Sequence, residues 1–142
     1  MKIVEPKTKE DFGKYYELRW RVLRMPLGMP RGSERDELEN SSAHVMAVDN
    51  GLVVGVGRVH LNSKNEAQIR YMAVDSEKRG KGTGKRILNE LERVAARLGA
   101  ENIILNARVD AIDFYKRYGY QTVGERFLYI GIEHQKMEKV VK

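Results

Sequence analysis

Residues Arg79-Gly80-Lys81-Gly82-Thr83-Gly84-Lys85 alternate glycine with basic or hydroxyl side chains, a pattern whose chemistry is phosphate binding. Glycines lack a Cβ and leave backbone N–H groups uncovered, and where such a turn opens a helix the positive end of the helix dipole adds to them. Lys78, Arg79, Lys81, Lys85 and Arg86 crowd the same turn and supply the cations that a pyrophosphate or a phosphomonoester requires. Spacing narrows the ligand. Counting back from Gly84-Lys85 puts Arg79 where the first glycine of a nucleotide P-loop belongs, and Arg86 stands where Ser or Thr should hold magnesium. Gly80, Gly82 and Gly84 run Gly-x-Gly-x-Gly, the wrong period for a dinucleotide fingerprint.

Other chemistries are excluded by what the chain lacks. With no cysteine there is no disulfide, no thiolate metal site and no Cys nucleophile. His44, His60 and His134 form no His-x-x-x-His pair and no Gly-x-Ser-x-Gly elbow occurs, so metallohydrolase and serine hydrolase readings fall away and no metal is expected. The groups left for proton transfer are the three histidines, Tyr115, and the carboxylates Glu66, Asp75, Glu125 and Glu133.

The elements that must position these groups follow from periodicity. Residues 69–74 read as a strand running into the glycine turn. Ile87, Leu88, Leu91, Val94, Ala95 and Leu98 then recur at helical spacing. The full order predicts a strand over 2–5, a helix over 9–24, an irregular Pro/Gly-rich stretch over 25–42 and strands over 43–48, 52–61 and 67–74. The glycine-turn helix follows, then a strand over 103–105, a short helix over 111–117 and closing strands over 122–130 and 134–141. Asn50-Gly51 supplies the positive φ angles of a tight hairpin turn. Asp110 reads as the N-cap of the short helix, with Asp113 completing a capping box and Gly119 ending it. An antiparallel meander followed by a βαβ-like crossover predicts a mixed α/β fold. At 142 residues, 42% of them hydrophobic, the chain suits one domain spanning 1–142.

Two blocks carry a family resemblance. Arg79, Gly82 and Gly84 fit Arg/Gln-x-x-Gly-x-Gly/Ala, while Asn106-Ala107, Phe114-Tyr115 and Gly119-Tyr120 fit an ordered Asn, Ala, Phe-Tyr, Gly-Phe/Tyr series. In both, the chain resembles the GNAT superfamily of acetyl-CoA-dependent N-acetyltransferases. That resemblance implies a central twisted mixed sheet flanked by helices. It implies that Arg79, Gly80, Lys81, Gly82, Thr83, Gly84 and Lys85 hold the CoA pyrophosphate, and that Met72, Ala73 and Val74 offer backbone groups to the pantetheine arm, with an N–H near Ala73 or Met72 aimed at the thioester oxygen. Asn106 would bond a pantetheine amide, Phe114 would border the cofactor, and Tyr115 would face the sulfur as proton donor. Residues 25–42 would help to form the acceptor site, near which His134 would serve as base.

Acyl transfer to an amine needs a bound thioester, a polarised carbonyl, an unprotonated amine and a proton for the departing thiolate. A phenol, ordinarily near about 10, gives its proton slightly uphill to a thiolate whose acid lies near about 8.5, a step eased in a poorly solvated site. Because no cysteine is present, a covalent thioester on the enzyme is impossible and direct attack by the amine is expected. The competing readings are a CoA-binding regulatory domain without turnover and a basic nucleic-acid-binding domain. The second is disfavoured, because outside the glycine turn the charges that sum to +6 are interleaved with acids and form no stripe. No apolar run of membrane-spanning length and no signal-peptide layout occurs, which predicts a cytoplasmic protein. The expected partners are acetyl-CoA and an amine acceptor of open identity, with the chain a monomer or homodimer.

Overall fold

The computed structural model describes residues 1–142. Seven strands, β1 (Lys2–Val4), β2 (Ala43–Asp49), β3 (Leu52–Leu61), β4 (Glu66–Val74), β5 (Asn102–Arg108), β6 (Gln121–Tyr129) and β7 (Ile132–Val140), form one sheet in the order β1-β2-β3-β4-β5-β7-β6. Every neighbouring pair is antiparallel except β4 with β5. The helices are α1 (Lys9–Leu23), α2 (Thr83–Arg97) and α3 (Ile112–Arg117). Thr8 and Asp11 close a reciprocal capping box at the start of α1. No helix is long and apolar enough to cross a membrane.

Alternation along the strands divides the core between two faces. Val45 and Ala47 pack into the cluster that includes Ile87, Leu88, Leu91 and Val94 of α2, whereas Met46 between them joins Tyr15 and Leu18 of α1. Gly55 and Gly57 let α2 lie close on β3. A Cβ on Gly55 would stand 2.5 Å from Ile87 Cδ1, and one on Gly57 2.7 Å from Leu91 Cδ1.

The site is created where β4 and β5 part. They pair only from Glu66–Gln68 with Asn102–Ile104, so their C-terminal halves diverge and leave an unpartnered strand edge on each side of a cleft. Such a crevice at the carboxyl ends of parallel strands is the usual ligand site of open α/β sheets. On its other side β4 carries a bulge. The register against β3 shifts between Val56 and Arg58, and Tyr71 takes φ 59, a left-handed conformation costly for a side chain of this size. The guanidiniums of Arg19, Arg24, Arg58 and Arg70 surround its ring at 4.2 to 5.6 Å, and cation–π attraction supports the strained residue.

Several boundaries differ from the sequence reading. Strand β5 continues to Arg108, because β7 pairs with it along its whole length. A 3-10 turn, Val109–Ala111, then intervenes, so Asp110 lies outside α3, whose N-cap is Ala111 without a side-chain hydrogen bond. The predicted capping box is therefore absent. Strand β7 begins at Ile132, behind a tight turn of Ile130 and Gly131 with φ 50 and 76. Asn50 and Gly51, with φ 50 and 77, make the hairpin turn expected of them.

Residues 25–42 form two short 3-10 turns, Met25–Leu27 and Glu39–Ser41, within a segment anchored by ion pairs. Arg58, fully buried, grips Asp36 bidentately at 2.6 and 3.0 Å and Glu39 at 2.8 Å. Arg19, also buried, reaches Glu39 at 3.0 Å. Burial pushes the Asp36 carboxyl up, but hydrogen bonds from Arg58 and the Leu38 N–H, with the charges of Arg58 and Arg70, outweigh it and hold the group at about 2. A depressed carboxyl stabilises the fold above its ordinary range and loses that contribution as pH falls toward about 2. Arg58→Met leaves Asp36 and Glu39 without this partner and is expected to cost about 3–5 kcal/mol. Urea unfolding at neutral pH checks this, and an unchanged midpoint would show that the pairs contribute nothing net.

Candidate active site

Two cavities open along the cleft. The larger, about 630 Å³, is walled by Met72, Ala73 and Val74 of β4, by the glycine turn, by Phe114, Tyr115 and Arg117 of α3, and by Tyr118 just beyond it. Its floor is the N-terminus of α2. Gly82 is the N-cap with φ 80, Gly80 has φ 78, and a Cβ on either would meet nothing within 4 Å. The turn thus needs glycine for its conformation and leaves open space before the helix dipole. Lys78, Arg79, Lys85 and Arg117 border that space. Phe114 packs against the first turn of α2, where a Cβ on Gly84 would lie 3.2 Å from the Phe114 ring. Thr83 also borders the cavity, although its hydroxyl reaches the Met1 sulfur at 3.4 Å. Lys81 is exposed and outside the lining.

The smaller cavity, about 320 Å³, lies against β4, β5 and the β6–β7 hairpin. It shares Leu23, Met72, Arg108, Ala111 and Tyr115 with the larger one, and these residues mark where the two meet. Tyr115 is 8% exposed, and its hydroxyl has only the Met72 sulfur, at 3.5 Å, as partner. Burial pushes its phenol pKa up, so the group is protonated at neutral pH and suited to donate. His134 faces the same small cavity. Its Nδ1 donates to the Ile132 carbonyl at 2.8 Å, and its ring stacks on Phe127 with centroids 5.8 Å apart. Nε2 makes no hydrogen bond within the protein and is, in a neutral ring whose Nδ1 donates in this way, the nitrogen free to accept one.

The remaining base candidates lie elsewhere. His44 bonds the Glu39 carbonyl and the Tyr15 hydroxyl, each at 2.8 Å, and His60 bonds Asn62. Burial, with arginine charges nearby, lowers the pKa of both rings, and neither lines either of these two cavities. Glu66 sits at the closed end of β4. Asp75 caps a turn and pairs with Arg21 at 3.1 Å. Glu125 is exposed on the edge strand β6, and Glu133 is exposed on β7 beside it. Asn106 lines the small cavity and not the glycine cavity.

Sequence reasoning did not single out Arg24, Arg70, Arg108, Phe127 or Tyr129, which wall the small cavity, or Arg117, which completes the basic rim of the large one. A basic residue two positions beyond Tyr115 was a usable signal for Arg117. Nothing local marked the others. Together the cavities can hold a long phosphorylated ligand whose reactive end reaches Tyr115, with a second small molecule arriving from the His134 side.

Residues 29–141 match the family described as an acetyltransferase (GNAT) domain. The chain is 36% identical over 140 residues to the uncharacterized N-acetyltransferase YjcF of Bacillus subtilis, covering 98% of this chain and 99% of that protein. Its fold is similar to the crystal structure of an acyl-CoA N-acyltransferase from Pseudomonas aeruginosa, with a TM-score of 0.84 at 23% identity over 98% of this chain and 97% of that one. It is equally similar to an aminoglycoside 6'-N-acetyltransferase complexed with coenzyme A, with a TM-score of 0.84 at 18% identity over 100% and 98% of the two chains.

Proposed function

The chain belongs to the GNAT acetyltransferase family, and on that premise we propose that it transfers an acetyl group from acetyl-CoA to a primary amine by direct attack in a ternary complex. The observation that carries this reading is the Tyr115 hydroxyl, which stands where the basic glycine cavity meets the cavity of His134.

Space before Gly80 and Gly82, the α2 N-terminus, and the cations Arg79, Lys85 and Arg117 suit a pyrophosphate in charge and in shape. The open edge of β4 at Met72, Ala73 and Val74 offers backbone groups to an amide-bearing arm, and a backbone N–H there is the donor for a developing oxyanion. Acetyl-CoA supplies an acetyl group already activated as a thioester.

His134 Nε2 accepts a proton from the amine, whose nitrogen forms the new bond to the acetyl carbon as the carbon–sulfur bond breaks. Tyr115 gives its hydroxyl proton to the departing sulfur. Burial raises the phenol pKa and makes this donation harder, but the same water-poor surroundings raise the basicity of the thiolate, so the two effects oppose. Initial rates with both substrates varied should give intersecting lines, whereas parallel lines would contradict a ternary complex.

His134 makes a separate prediction. As base it must be neutral, so kcat/KM for the amine should rise along an acidic limb, and His134→Ala should remove that limb while CoA binding persists. An unchanged limb in the variant would show that the amine is deprotonated without His134.

A further inference from the structure

We infer that the acceptor is a small amine that itself carries an anionic group, a carboxylate or a phosphate, held between Arg24 and Arg108. This rests on the acetyl-transfer reading and names the substrate class for the same site. The small cavity is bordered by three arginines, Arg24, Arg70 and Arg108, and by no Asp or Glu.

The arginines differ in how their charge is met. Arg70 donates to Asp36 at 2.8 Å and to the Tyr129 hydroxyl at 2.8 Å. Even there, Arg19, Arg58 and Arg70 share only two carboxylates, Asp36 and Glu39. Arg24 and Arg108 have no carboxylate partner. Arg24, only 4% exposed, donates Nε to the Ser33 carbonyl at 3.2 Å and Nη1 to the Leu23 carbonyl at 3.2 Å. Arg108 donates Nη2 to that same Leu23 carbonyl at 2.9 Å. One neutral acceptor thus draws two like charges together at the cavity wall. Arg24 Nη2 and Arg108 Nη1 and Nε make no hydrogen bond within the protein.

Buried cations are ordinarily paired, because removing a charge from water is costly unless an opposite charge answers it. The fold obeys this rule at the fully buried Arg19 and Arg58 and breaks it at the buried Arg24, beside which the half-buried Arg108 is likewise without a carboxylate. Burial, and next the charge of Arg24, depress the Arg108 guanidinium, which is the penalty a bound anion would relieve. Asp110, the acid that acts on Arg108 in the opposite sense, is exposed and borders the other cavity. Planar guanidiniums with free N–H groups suit carboxylate or phosphate oxygens. A polycationic amine would meet three like charges and no acid. The volume, about 320 Å³, is at the low end for ligand cavities and favours a small molecule.

The test compares matched amines at saturating acetyl-CoA: β-alanine with its methyl ester, phosphoethanolamine with ethanolamine, and spermidine as polycation. The anionic member of one pair should exceed its neutral partner in kcat/KM by about 30-fold or more, and the pair that shows this tells carboxylate from phosphate. That preference should collapse in Arg24→Met and in Arg108→Met, the anionic amine losing far more of its kcat/KM than its neutral partner does. Preference for neutral amines or spermidine, or a ratio unchanged in both variants, would overturn the inference. An equal fall for anionic and neutral amines would assign the arginines to the thioester and likewise overturn it. Should Arg24→Met not fold, Arg108→Met, which forfeits one hydrogen bond, decides alone. Calorimetry of β-alanine and phosphoethanolamine into CoA-loaded protein separates this from the acetyl-transfer reading. Binding that Arg108→Met abolishes supports the anion site even if no amine is acetylated, and no binding of either probe to the wild-type protein overturns it.

Discussion

Replacing Tyr115 by Phe is expected to lower kcat by about 100-fold or more while acetyl-CoA affinity is nearly unchanged. The substitution removes one oxygen. In the protein that oxygen has only a thioether at 3.5 Å as partner, a weak acceptor, so the core around Tyr115 loses almost nothing and thermal stability should hold. The ring contacts remain, among them those with Phe114 and Tyr120 at 5.1 and 5.8 Å between centroids. A loss of rate without loss of fold or of CoA binding therefore isolates the proton. An undiminished kcat, with chemistry shown to limit the rate, would reduce Tyr115 to packing.

Gly82→Asp is expected to weaken CoA binding by about 100-fold or more, because it places a carboxylate where the helix N-terminus and the basic rim would hold a phosphate. The conformation at Gly82, φ 80, is strained for most side chains, but Asp and Asn visit it more readily than others. A Cβ there meets nothing within 4 Å, and Asp is itself a favoured N-cap, so the variant should fold. Gly82→Asn has the same shape without the charge and should bind CoA with intermediate affinity. If folded Gly82→Asp binds CoA as the parent does by calorimetry, the glycine turn is not the phosphate site.

What the sequence disclosed and what it hid have a common cause. The glycine turn lies between the 3-10 turn Ser76–Lys78 that follows β4 and the start of α2, so its residue types, its φ requirements and its charge are all local, and periodicity on either side marks its place. Lys81, although it belongs to the same alternation as Arg79, Thr83 and Lys85, is exposed outside the cavity they line, and its type and position alone did not mark that difference. The second cavity had no local signature. Arg24 comes from the end of α1, Arg70 from β4, Arg108 from β5 and Tyr129 from β6, and only the parting of β4 from β5 brings them to one wall. Tyr71 read as an ordinary strand residue, yet it takes φ 59 because the bulge against Gly57 and the surrounding guanidiniums outweigh its preference. Asp110 missed its capping role for the converse reason: a 3-10 turn displaced the start of α3 by the length that a sequence pattern resolves least well.

We propose that this chain moves an acetyl group from acetyl-CoA to an amine. The direct measurement is to count free CoA thiol with a disulfide reagent and acetylated amine by mass spectrometry in the same reaction, across anionic, neutral and cationic primary amines. If the chain is such a transferase, CoA release depends on the amine, with one acetylated amine formed for each thiol. Acetyl-CoA that binds, yet releases no thiol with any amine or releases it without acetylated product, would contradict it.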